Sequence, residues 1–210
     1  FITGTDMPTH YALSEAVLVI VAALCVRRLG RSQLTFAAGG AALFGFAAAL
    51  GTLRFGLGLG PELSGVHRFV SQNGGVVAMG LITADCLRML APNLHRRLVS
   101  LVLLGVIVCS LLASVMLPVM TIPLILGWSV LLAVASFFLP AESVSNRLAA
   151  FGLAALFPVN ALVVRQSPLL TAELSWHLYH VVISVWLAAI CMILCEVSTA
   201  KRRFKRQSLE

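Results

Sequence analysis

The segment from Thr171 to Glu196 combines a long apolar run with three side chains that can exchange protons or bind metal ions. Glu173, His177 and His180 are spaced by four and three residues, which places them on one stripe of a helix. A carboxylate and two imidazoles inside a membrane helix are costly unless they have partners. The segment therefore predicts acid–base or metal chemistry, with further groups supplied by other helices.

The composition indicates the class of protein that has to position these groups. Of the 210 residues, 60% are hydrophobic and 11% are charged, whereas about a quarter are charged in a soluble domain. The mean hydropathy is +0.99. The net charge of +7 comes from short basic clusters between apolar segments, which favours a topology signal over binding to nucleic acid. We expect an integral protein of the bacterial inner (cytoplasmic) membrane, surrounded by membrane lipids.

Seven segments are apolar and long enough to cross a bilayer, since a helix needs about 20 residues to do so. They lie at about 9–28, 34–56, 65–88, 98–118, 120–140, 147–165 and 171–196. The pattern predicts an all-α polytopic membrane protein: one seven-helix transmembrane domain over residues 1–210, with a basic cytoplasmic tail at 197–210. Dense small residues place the second segment centrally or on an oligomer face, which leaves a homo-oligomer or a partner subunit open.

The basic residues predict how this domain is oriented. Twelve of the 15 Lys and Arg residues fall on one side of a seven-span arrangement. Only Arg54, Arg68 and Arg165 fall on the other side. Because basic residues concentrate on the cytoplasmic side, the N-terminus is expected outside and the C-terminus in the cytoplasm.

This topology brings the ionisable residues of three spans to one depth, in the outer leaflet. They are His10 and Glu15 in the first span, His67 and Ser71 in the third, and Glu173, His177 and His180 in the seventh. Imidazole and carboxylate ligands from separate helices suit zinc, with an open position for water. We expect His67 and His177 as ligands, with Glu173 or His180 as the third. Ser71 would stabilise an oxyanion, and Glu15 or His10 would orient a ligand or relay a proton.

Two other interpretations of the same residues stay open. Imidazoles on facing helices, such as His67 and His177, are typical axial ligands of haem b, which would make the protein a redox subunit. Alternatively, the protein is a non-enzymatic transporter, channel or structural subunit. In that case the polar groups form a proton or cation site, join helices, or lie in the headgroup region with no special role.

Two residues outside this cluster predict local features of the structure. Asp85 follows His67 by 18 residues, or about 27 Å of helix, so it belongs to the opposite end of its span. There it is expected to pair with Arg88. Pro158 is expected to kink the sixth span and to free backbone groups near Asn160.

Three short motifs resemble those of a known superfamily. They are the run Tyr11-Ala-Leu-Ser14-Glu15, the pair His67 and Ser71 one turn apart, and the dipeptide Trp176-His177. They are similar to motifs of the CREST superfamily, the seven-span metal-dependent membrane hydrolases that include alkaline ceramidases and adiponectin-receptor-like proteins. The resemblance implies hydrolysis of a lipid amide or ester by a zinc-activated water in an outer-leaflet pocket.

The chain departs from the pattern of that superfamily in two motifs. The family order is Ser-x-x-x-His, whereas this chain has His67-x-x-x-Ser71. The final family motif is His-x-x-x-His, and here it reads Glu173-x-x-x-His177 with His180 added. The identity of any metal ligands therefore depends on the structure.

Overall fold

The computed structural model describes residues 8–91, 94–141 and 143–207, and this part of the chain is helical with no strand. Its helices are α1 (Tyr11–Arg31), α2 (Thr35–Gly56), α3 (Gly60–Leu90), α4 (Arg96–Met116), α5 (Thr121–Phe137), α6 (Val144–Val159) and α7 (Ala172–Gln207). A 3-10 turn at Pro118–Met120 precedes α5, and a π-helical turn at Asn160–Val164 extends α6. Most of the predicted tail continues α7, and residues 208–210 lie outside the described residues.

Five helical segments are long and apolar enough to cross a membrane: Thr35–Gly56, Arg97–Met116, Pro118–Phe137, Val144–Val164 and Ala172–Arg203. The expected class, an integral membrane protein with an all-helical fold, is borne out at this level. The predicted spans 9–28 and 65–88 coincide with α1 and α3, which have 21 and 31 residues but are not among the five. Both helices contain several charged residues, which lower their hydropathy. The crossing of the membrane by α1 and α3, and hence the count of seven, stays a prediction.

Six of the helices form a closed ring, in which each packs against the next in the order α1, α2, α3, α5, α6, α7 and back to α1. Helix α4 lies outside this ring and packs mainly on α3. The largest buried side chains come from the inward faces and include Met79, Leu132 and Trp186. The ring therefore encloses one core, and polar side chains on its inner face can meet.

Helix α2 packs closely between α1 and α3 because its contact faces are built from small residues. A Cβ atom on Gly40 would lie 2.6 Å from the carbonyl oxygen of Ala78 in α3, and one on Gly45 would lie 2.9 Å from the Cβ atom of Ala22 in α1. Such contacts allow close backbone approach in lipid. The small residues of α2 thus bring α1 near α3. The central position or oligomer face that they indicate for the second segment stays a prediction.

The expected break in the sixth helix is present. Pro158 has no N–H to donate to the carbonyl of Ala154, and this carbonyl accepts a hydrogen bond of 3.1 Å from the indole Nε1 of Trp186 in α7. The helix then widens into the π-helical turn, where Asn160 Nδ2 donates to the carbonyl of Tyr179 at 2.9 Å. Two bonds to α7 therefore hold the broken helix in place.

Asp85 lies at the opposite end of α3 from His67 and pairs with Arg88, as the sequence predicts. Its Oδ1 atom accepts from the Arg88 guanidinium at 2.8 Å. Its Oδ2 atom accepts from the backbone N–H of Ala37 in the first turn of α2 at 2.9 Å. The carboxylate therefore ties α3 to the start of α2, whose first N–H groups have no partner within their own helix.

Candidate functional site

Glu15 of α1 is the centre of a polar cluster at the end of the bundle where α1, α3 and α7 begin. We call this end, which carries His10, His67, His177 and His180, the histidine end. The Glu15 side chain is only 2% exposed, and its Oε1 atom lies 3.2 Å from His180 Nε2 and 3.9 Å from His67 Nε2. The three helices thus meet and turn these polar groups inward, as the sequence predicts.

Helix α2 makes room for this carboxylate at Gly51. A Cβ atom on Gly51 would lie 2.5 Å from Glu15 Oε1, closer than two such atoms can approach. Glu15 therefore packs directly against the backbone of α2. No sequence motif indicates that Gly51 belongs to the site, although it lies in the same helix as the small residues noted above.

The hydrogen bonds of His180 determine where a proton lies in this cluster. Its Nδ1 atom is 2.8 Å from the carbonyl oxygen of Trp176, and because a carbonyl only accepts, Nδ1 carries the hydrogen. A neutral His180 would then turn its Nε2 lone pair toward a charged Glu15, which is unfavourable in a buried site. The Nε2 atom of His180 lies 3.2 Å from Glu15 Oε1, and this buried oxygen has no hydrogen-bond partner among the described residues.

His67 has the opposite arrangement of its ring nitrogens. Its Nδ1 atom lies 3.4 Å from the guanidinium of Arg54, which can only donate, so the hydrogen of a neutral His67 is on Nε2. That N–H faces Glu15 Oε1 across 3.9 Å, a distance longer than a hydrogen bond. His67 therefore adds a donor beside Glu15 without closing a bond to the carboxyl group.

The other predicted residues of α1 and α7 form a second group nearer the surface. His177 Nδ1 lies 3.1 Å from the hydroxyl oxygen of Ser14, and the His177 ring is 5.3 Å from the ring of His10. His10 Nε2 lies 3.8 Å from Glu173 Oε1, and these two side chains are 44% and 59% exposed. His10 and Glu173 therefore belong to this outer group.

The predicted zinc ligands are divided between these two groups, since His67 and His180 face Glu15 whereas His177 faces Ser14. Among the residues that the structure describes, no group of three or more His, Cys, Asp or Glu side chains could hold a metal ion. The described side chains therefore do not fit the zinc site that the sequence predicts. The haem b alternative stays a prediction.

A cleft of about 380 Å³ opens beside this cluster, between α3, α5, α6 and α7. Its lining includes the buried His67 and His180 and the exposed Ser71. The walls include Phe44, Ile125 and Phe157, and the polar residues Gln72, Arg165 and Gln166 also line the cleft. A smaller cavity of about 80 Å³ reaches Glu15 and shares His67, Ser71 and His180 with the cleft. A bound molecule can therefore approach the carboxyl group from the cleft.

Two cleft residues have defined contacts of their own. The hydroxyl group of Ser71, which is predicted to stabilise an oxyanion, donates to the carbonyl of Arg68 at 3.1 Å. The guanidinium of Arg165 lies 5.3 Å from the centre of the Trp176 ring and 5.7 Å from that of Tyr179. Arg165 is thus held over aromatic side chains, where it provides a positive charge beside the apolar walls.

No family model, curated protein or solved structure matches the chain. The described fold and the five apolar helices define the class, an all-helical integral membrane protein. The resemblance to the CREST superfamily stays a prediction that rests on the three sequence motifs.

Proposed function

We propose that this protein binds a lipid-like molecule in the cleft and hydrolyses an ester or amide bond in it, with Glu15 and His180 as the acid–base groups. The observation that carries the proposal is the buried Glu15 carboxyl group, which lies 3.2 Å from His180 Nε2 in a small cavity that shares His180 with the cleft. A buried carboxyl group that shares a proton with an imidazole has the chemistry of a general acid and base.

The lining of the cleft supports an amphipathic substrate. Phe44, Ile125 and Phe157 offer apolar surface for an acyl chain. His67 and His180, which also line the cleft, would face its polar group. The volume of about 380 Å³ falls within the usual range for small-molecule sites. Arg165 would pair with an anionic group on the same molecule.

Hydrolysis at this site consumes one water molecule and returns every proton of the acid–base groups. A water next to Glu15 gives a proton to the carboxylate while its oxygen forms a bond to the substrate carbonyl carbon. His180 then gives its Nε2 proton to the leaving alcohol or amine as the ester C–O or amide C–N bond breaks. The proton on Glu15 passes to His180 across 3.2 Å and restores the pair. Ser71 would turn its hydroxyl group from the carbonyl of Arg68 to the developing oxyanion.

The test is a lipid hydrolysis assay of the purified protein with a matched pair of carboxyl variants. Phospholipids, acylglycerols and N-acyl amides are supplied in detergent, and released fatty acid is measured by mass spectrometry. We expect Glu15→Gln to lower the rate by at least about a hundredfold, since general acid–base groups contribute that much. Glu173→Gln, which changes the exposed carboxyl group, should keep most of the activity.

Three results would contradict the proposal. The first is that none of these lipids is hydrolysed, and the second is that Glu15→Gln keeps the full rate. The third is stoichiometric zinc in the purified protein that is lost in Glu15→Gln, which would put a metal ion in place of the shared proton.

A second candidate function is proton-coupled transport of the same kind of molecule. It is favoured by the π-helical turn at Asn160–Val164, because broken helices are typical of transporter binding sites and Ala161 of this turn lines the cleft. To test this, the protein is reconstituted in liposomes that contain a pH-sensitive dye. Adding lipid should then change the pH of the liposome lumen. Hydrolysis without proton flux would exclude this alternative.

A further inference from the structure

We propose that the opposite end of the bundle holds a second ligand site, which binds a phosphate group. We call this end, where α1, α3 and α7 end and α2 begins, the basic end. It contains a pocket of about 280 Å³ between the α1–α2 turn, α3 and α7. This site is independent of the hydrolysis proposed above, since it shares no residue with the cleft.

The charges of the pocket favour an anion. Three cationic side chains line it, those of Arg88, Lys201 and Arg202. Among its described lining residues Asp85 is the one acidic group, and both oxygens of this carboxylate accept hydrogen bonds, from Arg88 and from the N–H of Ala37. Asp85 thus offsets the charge of Arg88, and the positive charges of Lys201 and Arg202 have no acidic counterpart in the pocket lining.

The hydrogen-bond donors of the pocket are not all used. Lys201 Nζ donates to the carbonyl of Met89, which uses one of the three N–H bonds of the ammonium group. The Nε atom of Arg88 is buried and has no acceptor among the described residues, although the guanidinium pairs with Asp85 and packs over Phe36. A buried donor without an acceptor is unfavourable. The remaining N–H bonds of the Lys201 ammonium group can donate to a phosphate oxygen in the pocket.

The turn that borders the pocket carries backbone strain at Gln33. This residue has a φ of 59°. It follows the end of α1, where its N–H bonds to the carbonyl of Gly30 at 2.9 Å and the N–H of Leu34 bonds to that of Leu29 at 3.0 Å. Glycine is usual at such a position because it adopts positive φ without strain. Gln33 instead has an amide side chain, and this residue lines the pocket.

These features together define the ligand. Clustered cations with an amide donor at the end of membrane helices match the phosphate of a lipid headgroup, and basic pockets between helices bind such headgroups. A free phosphate ion has the same chemistry. The two sources differ in whether an acyl chain has to accompany the phosphate.

The experiment uses the full chain in dodecyl maltoside, a detergent without phosphate, and follows the midpoint of thermal unfolding. One arm adds phosphatidylglycerol and the other adds inorganic phosphate. We expect a saturable rise of the midpoint in at least one arm. Lys201→Gln and Arg202→Gln should each raise the apparent dissociation constant about fivefold, since each cation near an anionic headgroup contributes on that scale.

The control variant is Arg203→Gln, which removes the same charge from the next residue of α7 but does not line the pocket. A rise with phosphatidylglycerol alone identifies a lipid headgroup, and a rise with inorganic phosphate identifies the free ion. The proposal is overturned if neither probe shifts the midpoint, or if Arg203→Gln weakens the effect as much as Arg202→Gln does.

Gln33→Gly gives a second, independent readout. Glycine relieves the positive φ, so the variant should unfold at a higher temperature without a ligand. It also removes an amide from the pocket, so the added phosphate should bind more weakly. A purely structural role of Gln33 predicts the first change without the second.

Discussion

His180 places its Nε2 atom 3.2 Å from Glu15 Oε1, while its Nδ1 atom donates to the carbonyl of Trp176 at 2.8 Å. Both partners are almost fully enclosed, with side-chain exposures of 2% for Glu15 and 10% for His180. Removing one partner from such a pair leaves a buried polar group without compensation, which is strongly destabilising. The outer pair of His10 and Glu173 is largely exposed, so water can replace either partner.

This contrast gives a prediction for stability. His180→Ala should lower the free energy of unfolding by about 3–5 kcal/mol, whereas His10→Ala should lower it by less than about 1 kcal/mol. Chemical denaturation in detergent, followed by circular dichroism, measures both. Part of the His180→Ala effect comes from lost packing, so the double variant with Glu15→Gln is the decisive measurement. If the double variant is as unstable as the sum of the single changes, the two groups do not share a proton.

The close approach of Glu15 to α2 gives a second prediction at this scale. Gly51→Ala should destabilise the protein by about 1–3 kcal/mol, because the new Cβ atom would overlap with the carboxyl group. Gly74→Ala is the matched control, since its Cβ atom would meet only the Val70 side chain at 3.7 Å. Thermal unfolding of both variants tests this. An equal effect of the two changes would mean that Glu15 does not pack on the backbone at Gly51.

The sequence predicts the residues of this site better than their pairing. Helix periodicity relates positions within one helix, so it indicated that Asp85 pairs with Arg88 three residues later, and the structure confirms this. The topology, which puts the ionisable residues of three spans at one depth, predicted the convergence of α1, α3 and α7. Periodicity does not give the rotation of one helix against another, and this rotation decides that His180 and not His177 faces Glu15.

At the scale of elements, helix α7 supports the break in α6. The indole N–H of Trp186 donates to the carbonyl of Ala154. The carbonyl of Tyr179 accepts a hydrogen bond from the side chain of Asn160. The hydroxyl group of Ser175 donates to the carbonyl of Val164 at 3.1 Å. These three bonds satisfy backbone and side-chain groups that a broken helix exposes. They keep the π-helical turn at the wall of the cleft in a defined position.

The bond from Trp186 to Ala154 leads to a prediction for paired variants. Trp186→Phe should lower the free energy of unfolding by about 1–3 kcal/mol, because it leaves the buried carbonyl of Ala154 without a donor. In a Pro158→Ala background, the new N–H at position 158 can donate to this carbonyl, and the loss should be smaller. A double-mutant cycle of unfolding free energies measures the coupling. Additive effects would show that the indole does not replace the missing helix bond.

The elements themselves could be predicted from the sequence to differing degrees. Pro158 indicated the break in α6, since proline lacks the N–H of a helix bond, but the donors that repair it come from α7, a distant segment of the chain. The predicted span 171–196 follows hydropathy, which falls where α7 leaves the apolar region, and the helix itself continues to Gln207.

At the scale of the whole molecule, the two ends of the bundle differ in charge and in chemistry. The histidine end holds the acid–base pair and the cleft, and the basic end holds the pocket proposed for phosphate. Most charged side chains of α1 and α3 are exposed, but those of Glu15 and Asp85 are turned into the ring, with exposures of 2% and 3%. Buried in this way, they do not prevent these helices from lying in a membrane, although they lower the hydropathy of both.

The seven-span arrangement is tested by the accessibility of α1 and α3 at both of their ends. Single cysteines are introduced at Thr9 and Ser32 for α1, and at Leu59 and Leu94 for α3, and intact cells are treated with a membrane-impermeant thiol reagent. Because the basic side is expected to face the cytoplasm, the cysteines at 9 and 59 should react, and those at 32 and 94 should react only after permeabilisation. Reaction at both ends of either helix in intact cells would show that this helix does not cross, and reaction at 32 and 94 alone would reverse the orientation. The unsubstituted protein, with its five cysteines, provides the background for each comparison.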